Sequence, residues 1–281
     1  MEEDNKSLRQ RCVDILKTAS ALEKCRLTRA LEEAWRHGEI RELISATDDA
    51  IPLRPAREKE EQKRGSVKQN SAKLFLYHLT HAEACAVDCF LDLFARFGEE
   101  ITEDLLSPEE TEQFISELLK IALDETIHFE RLNKRLEDFY GTRYGDLSSH
   151  DALSSSCEDT QDDLLARLAI VHLVHEARGL DVFPLGRARL TRAQDMDTVK
   201  ILDLNYADEI THVEKAMNWF KLFANKKHIA DPRETFFNIV RDKRRWKLQA
   251  LKPPFNHAAR HKAGFHDDWY LPLVQDVTQQ P

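Results

Sequence analysis

The sequence predicts an all-α fold, a four-helix bundle in which two helical hairpins are joined by one long crossover. Apolar residues recur at helical spacing over four long stretches, and no strand-like alternation stands out. With 8 Gly and 9 Pro in 281 residues, a turn-rich β fold and low-complexity disorder are both disfavoured. A long polar segment lies between the second and third of these stretches and separates the two hairpins.

We expect three regions along the chain. Residues 1–70 form a helical N-terminal extension with a linker, and within it residues 7–20 and 22–37 each carry an apolar stripe. Residues 46–69 lose this periodicity and contain a run of mixed charge, Arg57 to Arg64. Such a segment is either a solvated linker or a strap that lies over the main domain. Residues 71–225 form the bundle, and residues 226–281 form a C-terminal extension that packs on it.

The four bundle helices are predicted at about 71–97, 108–140, 160–180 and 195–224. The second has a strong start, because Ser107 can cap it, Pro108 occupies the first position and two acids follow in the first turn. Gly98, Gly141 and Gly179 mark the expected ends of the first three helices. The short connections at 98–107 and 181–194 suit antiparallel neighbours.

The connection at 141–160 is rich in Gly, Ser and Asp and is predicted to be structureless. Fully extended, it reaches roughly 60 Å, whereas a thirty-residue helix is about 45 Å long. It can therefore run the length of the bundle, which gives two hairpins with one long crossover.

Composition excludes several classes of function. The formal charge of −9 provides no general affinity for nucleic acid or anionic membranes. We expect no membrane span, because no apolar run is long enough, and no secretory signal, because the N-terminus is acidic. The five scattered cysteines contain no CxxC pair, so reduced thiols and a cytoplasmic location are expected.

A repeated motif provides the main functional signal. Asp124-Glu125-Thr126-Ile127-His128 returns as Asp208-Glu209-Ile210-Thr211-His212, and each copy places a carboxylate and an imidazole on one side of a helix. In a bundle of two hairpins, the first helix of each hairpin should add one more Glu, equidistant from the connecting loop. Glu83 and Glu125 are centred on residue 104, and Glu176 and Glu209 near residue 192, both inside the predicted connections.

The surroundings of the two lone acids support this arrangement. Glu83 and Glu176 both lie in otherwise apolar stretches, where an unpaired carboxylate costs several kcal/mol or takes up a proton. Four such acids are tolerated when two divalent cations balance their charge and two neutral imidazoles complete the shell. The alternative is that the acids pair with Arg178 or with a lysine.

These residues resemble the ligand set of ferritin-like di-iron or di-manganese carboxylate proteins, over residues 71–225. The proposed metal ligands are Glu83, Glu125, His128, Glu176, Glu209 and His212. Further segments resemble an uncharacterised ferritin-like domain family related to the bacterial tRNA-hydroxylase group. These segments are His81-Ala82-Glu83, Tyr144-Gly145-Asp146 with His150-Asp151, Glu176 to Asp181, and Pro254-Phe255-Asn256. The resemblance implies a ferritin-like four-helix bundle and two reduced irons that bind and split O₂.

The leading hypothesis is therefore an oxidoreductase that uses two Fe ions, two Mn ions or a mixed Mn/Fe pair to hydroxylate or oxidise an organic substrate with O₂. Its partners would be a small-molecule or nucleoside-type substrate and an external electron donor. The alternatives are a ferroxidase or metal-handling protein, a tRNA-modifying hydroxylase, and a binding or scaffold protein that has kept its metal site. The long irregular N- and C-terminal segments disfavour a storage cage of many subunits. They do not disfavour smaller oligomers.

Other residues have weaker signals. Asp124 and Asp208 are candidate acceptors for the second ring nitrogens of the histidine ligands. His172 is interpreted as a core histidine or a seventh ligand, and Tyr206 as a relay or a packing residue. Arg178 and Asp181 are expected to pair with each other or with the crossover, and substrate contact is the alternative. Cys85 and Cys89 are interpreted as buried thiols of a packing face, with metal binding as the alternative. The C-terminal residues interpreted as a cap over one end of the bundle, or as substrate contacts, are Asn256, His257, Arg260 and His261, and the basic stretch 241–247 is interpreted as an ordinary helix surface or a weak nucleic-acid signal.

Overall fold

The computed structural model describes residues 6–57, 71–242 and 251–278, and within these ranges all regular structure is helical. The predicted all-α class is thereby confirmed. The chain divides into two compact units, Met1–Ser154 and Ser155–Pro281. None of the helices in the described ranges is both long and apolar enough to cross a membrane.

The first unit contains a short helical pair followed by a long hairpin. Helices α1 (Leu8–Lys17) and α2 (Ala21–Arg36) pack against the hairpin helices α3 (Ser71–Glu99) and α4 (Pro108–Tyr140). Both α1 and α2 were predicted. Each presents an apolar stripe that is buried, with Leu16 and Leu31 at most 3 % exposed.

The connection between α3 and α4 is more helical than predicted. Helix α3 does not end before Gly98 but continues into a π-helical turn, Glu100–Leu105. The absence of a side chain at Gly98 has a steric reason, since a Cβ there would lie 3.1 Å from Ile44 Cδ1 and 3.2 Å from Phe94 Cζ. Gly98 thus permits close packing inside a helix, and it does not act as a stop.

The start and end of α4 agree with the prediction. Ser107 Oγ accepts a hydrogen bond from the backbone N–H of Glu110, and Glu110 Oε2 accepts one from the N–H of Ser107. This capping box satisfies two donors that the first turn leaves open. Gly141 ends the helix in the left-handed conformation, with φ of 58°.

The segment expected to be a strap is partly described. Ala56 donates its N–H to Leu16 O at 2.7 Å, and Arg96 Nη2 donates to Pro52 O at 2.7 Å, so residues 51–57 lie against α1 and α3. The strap interpretation is confirmed for these residues. The remaining charged run, 58–64, lies outside the described residues, as does most of the basic stretch 241–247.

The predicted structureless crossover contains an eight-residue helix, α5 (Ala152–Asp159). The prediction was wrong because the helix is held by a distant side chain and not by local periodicity. Within the second unit, buried Arg167 donates to the carbonyl of Cys157 at 2.6 Å and to Thr160 Oγ1 at 2.9 Å, at the end of this helix.

The second unit is built on another long hairpin. Its first arm runs as α6 (Leu164–Arg167), a π-helical segment (Leu168–His175) and α7 (Glu176–Arg192), and its second arm is α8 (Met196–Lys226). The predicted end near Gly179 is therefore wrong, and the turn is confined to residues 193–195. Asp195 caps α8 by accepting from the N–H of Thr198 at 3.2 Å.

Three further helices complete the second unit. They are α9 (Pro232–Arg241), α10 (His257–Lys262) and α11 (Leu271–Thr278), with a 3₁₀ turn at Asp267–Trp269. Helix α9 packs on the π-helical segment, and α10 packs on α7 and α8. The prediction of three domains, at 1–70, 71–225 and 226–281, stays a prediction.

Candidate metal centre

The first unit brings three of the predicted ligands together. Glu83 projects from α3, and Glu125 and His128 project from α4. His128 Nδ1 lies 3.7 Å from Glu83 Oε2 and 3.8 Å from Glu125 Oε2. All three side chains are buried, with Glu125 only 1 % exposed and His128 fully enclosed. We call these residues the first triad.

The second unit repeats the arrangement with the other three predicted ligands. Glu176 is the first residue of α7, and Glu209 and His212 lie on α8, with His212 Nδ1 3.8 Å from Glu209 Oε2. His212 is fully enclosed, whereas the two carboxylates are partly exposed. We call these residues the second triad. In each triad, one donor atom from every residue lies within 4.8 Å of the others.

The sequence dictates this local geometry through two spacings. Each His lies three positions after its Glu, so both lie on one face of a helix. The lone Glu is level with them because the two arms of a hairpin run antiparallel from the turn. The turn at residues 193–195 lies close to the midpoint between Glu176 and Glu209, as the sequence predicted.

A π-helical segment ends directly before Glu176. It covers eight residues, seven of which are buried, and π-helical hydrogen bonding is rare in proteins and concentrated at functional sites. The wider turn changes the direction of the following side chains relative to an uninterrupted α-helix. Glu176 is therefore oriented by an irregularity that periodicity in the sequence did not reveal.

The donor set of each triad fits a divalent metal ion. Two carboxylates and one imidazole supply oxygen and nitrogen ligands without thiolate, a combination that suits iron or manganese better than the thiolate-rich sites common for zinc. Burial provides the second reason, since a desolvated carboxylate requires a compensating positive charge. The buried Glu and His clusters can therefore hold metal.

Neighbouring residues that the sequence singled out have other contacts. Asp124 accepts a hydrogen bond from Lys120, and Tyr206 OH accepts one from Asn256 Nδ2 at 2.7 Å while its ring stacks on Phe183. Tyr206 thus has a packing role, and a relay role stays a prediction. His172 is buried on the π-helical segment.

Two alternatives considered above are not supported, namely metal binding by the cysteines and pairing of the buried acids with Arg178. Cys85 and Cys89 are buried and form no disulfide, and burial raises the pKa of the Cys85 thiol to about 12, which disfavours the thiolate that binds metals. Arg178 pairs with Asp181 at 3.7 Å and donates to Lys252 O at 2.9 Å.

Sequence reasoning missed a cluster on the C-terminal extension. Asp267 Oδ1 accepts hydrogen bonds from Tyr270 OH at 2.5 Å and from ring nitrogens of His257 and His261 at 2.8 Å. Those hydrogen bonds, that of Tyr270 first, hold the pKa of Asp267 well below its usual range. The four-residue spacing of the two histidines was the available signal. The cluster is half-exposed and links α10 to the following turn.

Comparison with known proteins places the chain beside a family without an assigned activity. Residues 17–271 match the family model described as "Protein of unknown function (DUF455)". A protein of Haemophilus influenzae titled "Uncharacterized protein" is 30% identical over 275 residues, which cover 93% of each chain. No solved structure matches the chain.

Proposed function

Because the chain belongs to the family described as "Protein of unknown function (DUF455)", whose description assigns no activity, we propose a function from the two triads. We propose that the protein is a di-iron or di-manganese carboxylate oxidoreductase that uses O₂ to hydroxylate or oxidise an organic substrate. The observation that carries the proposal is the recurrence, in each unit, of a Glu and a Glu-x-x-His gathered within 4.8 Å.

Charge supports two metal ions and not one. The two triads together contain four carboxylates and two imidazoles, so two divalent cations give a neutral set when both histidines are neutral. One cation would leave two negative charges in low-dielectric surroundings, which is costly. In the proposed arrangement, Glu83, Glu125 and His128 would hold one ion, and Glu176, Glu209 and His212 would hold the other.

The chain's own residues bind, orient and exclude water. When bound, two reduced ions of this kind supply electrons for the reduction of O₂. His128 and His212 are themselves fully enclosed, so bulk water does not compete for their ring nitrogens. Hydroxylation of a C–H bond consumes one O₂, two electrons and two protons and releases water, so an external electron donor is needed.

Metal analysis of the purified full-length chain tests the proposal. After anaerobic loading with Fe²⁺ or Mn²⁺ and desalting, we expect about two ions per chain. Glu125→Gln should lose about half of the bound metal, because the amide cannot neutralise the cation held by the first triad. Glu112→Gln, an exposed position on the same helix, is the matched control.

Addition of O₂ to the Fe²⁺-loaded protein then tests the redox chemistry. We expect a new absorption band in the wild type and in Glu112→Gln, and a strongly reduced one in Glu125→Gln. Wild-type protein that retains no metal, or a Glu125→Gln variant that retains all of it, would contradict the proposal. Iron oxidation in a particle of many chains, with no organic substrate consumed, would favour the ferroxidase alternative instead.

A further inference from the structure

A further group of potential metal ligands lies on the C-terminal extension, outside the two triads. His257 and His261 lie four positions apart on α10, and Asp267 begins the 3₁₀ turn that follows. One ligand atom from each residue lies within 4.8 Å of the others. The group shares no residue with either triad and lies wholly in the second unit. We call these three residues the C-terminal cluster.

The two imidazoles of the C-terminal cluster point toward one place. Because they are four positions apart, they lie on one face of the helix. His257 Nδ1 and His261 Nε2 are each 2.8 Å from the same atom, Asp267 Oδ1. An imidazole nitrogen directs its lone pair along the line that its proton would occupy, so these contacts also show where the two lone pairs converge. A bound cation requires this convergence.

The donor set and its dimensions suit zinc. Two imidazoles and one carboxylate make three protein ligands, the number found in zinc sites that keep one position open. Zinc with tetrahedral bonds of about 2.0–2.1 Å places neighbouring ligand atoms about 3.3 Å apart. Since the ring nitrogens are now 2.8 Å from Asp267 Oδ1, shifts of about 0.5 Å admit the ion. The three side chains are 43–49% exposed, which leaves room for such shifts.

Tyr270 holds the carboxylate of the C-terminal cluster in position. The side chain of Tyr270 is buried, and its OH lies 2.5 Å from Asp267 Oδ1 and 2.7 Å from His257 Nδ1. Hydrogen bonds that orient the ligands of a metal typically change its affinity by about 10–100-fold. A group anchored in the core of the unit thus orients the ligands at its surface.

We propose that His257, His261 and Asp267 form a zinc site whose fourth position is open to water. The ion joins α10 to the following turn. Helix α10 also carries Arg260, which binds Asp181 of α7, so bound zinc holds in place a helix that packs on the hairpin of the second unit.

This zinc site does not depend on the proposed oxidoreductase activity, because it uses no residue of either triad. The triads differ from it in that each contains two carboxylates and an enclosed histidine. Mn²⁺ and Fe²⁺ stand at the weak end of the affinity order for such donors, so the half-exposed cluster adds little to the ion count expected for the triads.

Equilibrium dialysis of the full-length, metal-depleted chain against micromolar Zn²⁺ tests the proposal. We expect the wild type to bind about one more Zn²⁺ per chain than His261→Gln, which lacks one of the three protein ligands. His37→Gln is the matched control, because it removes a histidine that is 47% exposed in the first unit, and it should bind as the wild type does. Glu125→Gln should keep this ion, so failure of the triads and failure of the C-terminal cluster give different results.

The histidine ring signals in a ¹H–¹³C NMR spectrum provide a second measurement, on the wild type itself. The signals of His257 and His261 are identified by their absence from the spectra of His257→Gln and His261→Gln. Both should shift together as Zn²⁺ is added, while the signal of His37 stays in place. If the two signals do not move at saturating Zn²⁺, or if the wild type and His261→Gln bind the same amount of zinc, the proposal is overturned.

Discussion

At the scale of single residues, two fully enclosed charged side chains form a pair that the sequence did not predict. Arg260 donates to the two oxygens of Asp181 at 2.9 and 2.6 Å, and both side chains are 0% exposed. The backbone N–H of Asn256 also donates to Asp181 at 2.8 Å. The guanidinium is further surrounded by aromatic rings, 4.5 Å from that of Tyr270. Sequence reasoning paired Asp181 with Arg178, which is close but not the main partner.

We predict that Arg260→Met lowers the free energy of unfolding by about 3–5 kcal/mol, because it leaves the Asp181 carboxylate buried without its cation. Urea denaturation measures the change. Arg187→Met is the matched control, since Arg187 and Asp203 form an exposed pair on the hairpin of the same unit. That control should cost at most about 1 kcal/mol. Equal losses in the two variants would contradict the assignment of Asp181–Arg260 as a stability-determining pair.

At the scale of elements, helix α7 continues through a proline. Pro184 has no N–H, so the carbonyl of Leu180, four residues earlier, lacks its usual helical donor. Asn256 Nδ2 donates to this carbonyl at 3.1 Å and to Tyr206 OH at 2.7 Å. The C-terminal extension thereby supplies the donor that the proline removes. This explains how the helix continues past Pro184.

A double-mutant cycle tests this compensation. Asn256→Ala should destabilise the protein by about 1–3 kcal/mol, since it leaves the Leu180 carbonyl without a donor. In a Pro184→Ala background the same change should cost less, by about 0.5–1.5 kcal/mol, because the substituted alanine restores the helical N–H.

Pro232→Ala serves as the control background for this cycle. Pro232 occupies the first position of α9, where no helical hydrogen bond is missing. The cost of Asn256→Ala should be the same in that background as in the wild type. If Pro184→Ala and Pro232→Ala gave the same coupling, Asn256 would not be compensating for the proline.

At the scale of the whole molecule, each unit has the same plan, a helical hairpin with a lone Glu on its first arm and a Glu-x-x-His on its second. In each unit, the burial of ionisable groups lowers the stability of the folded state, and a bound metal would offset this loss. A ligand that binds only the native state adds stability in proportion to the logarithm of its concentration. Folding and metal content should therefore be linked.

We predict that metal-loaded protein loses thermal stability when a chelator removes the metal. At metal concentrations about a hundredfold above Kd, binding contributes about 2.7 kcal/mol, and a chain of this size loses about 2–4 °C of Tm per kcal/mol. Scanning calorimetry with and without EDTA measures the shift. Glu112→Gln should shift as the wild type does, whereas Glu125→Gln should shift less, because only its second triad can still hold an ion. A wild-type Tm that is unchanged by EDTA would argue against metal binding in either triad.

The sequence by itself determined the helical class, the positions of the hairpin arms and the two triads of candidate ligands. These features depend on local rules, since apolar periodicity, the capping box at Ser107 and the Glu-x-x-His spacing act over one to three turns. Equidistance from a turn then placed Glu83 and Glu176 beside their partners without any knowledge of packing.

Only the tertiary structure decided where helices continue past local stop signals and which distant charges pair. Asn256 donates a hydrogen bond to the carbonyl of Leu180, Arg167 donates to that of Cys157, and Arg260 donates to the carboxylate of Asp181. These pairs are 10 to 79 residues apart in the sequence. The ion pair of Lys24 and Asp88 likewise joins segments 64 residues apart. Such contacts depend on the folding of the whole unit, because a hydrogen bond between distant residues leaves no periodic pattern in the sequence.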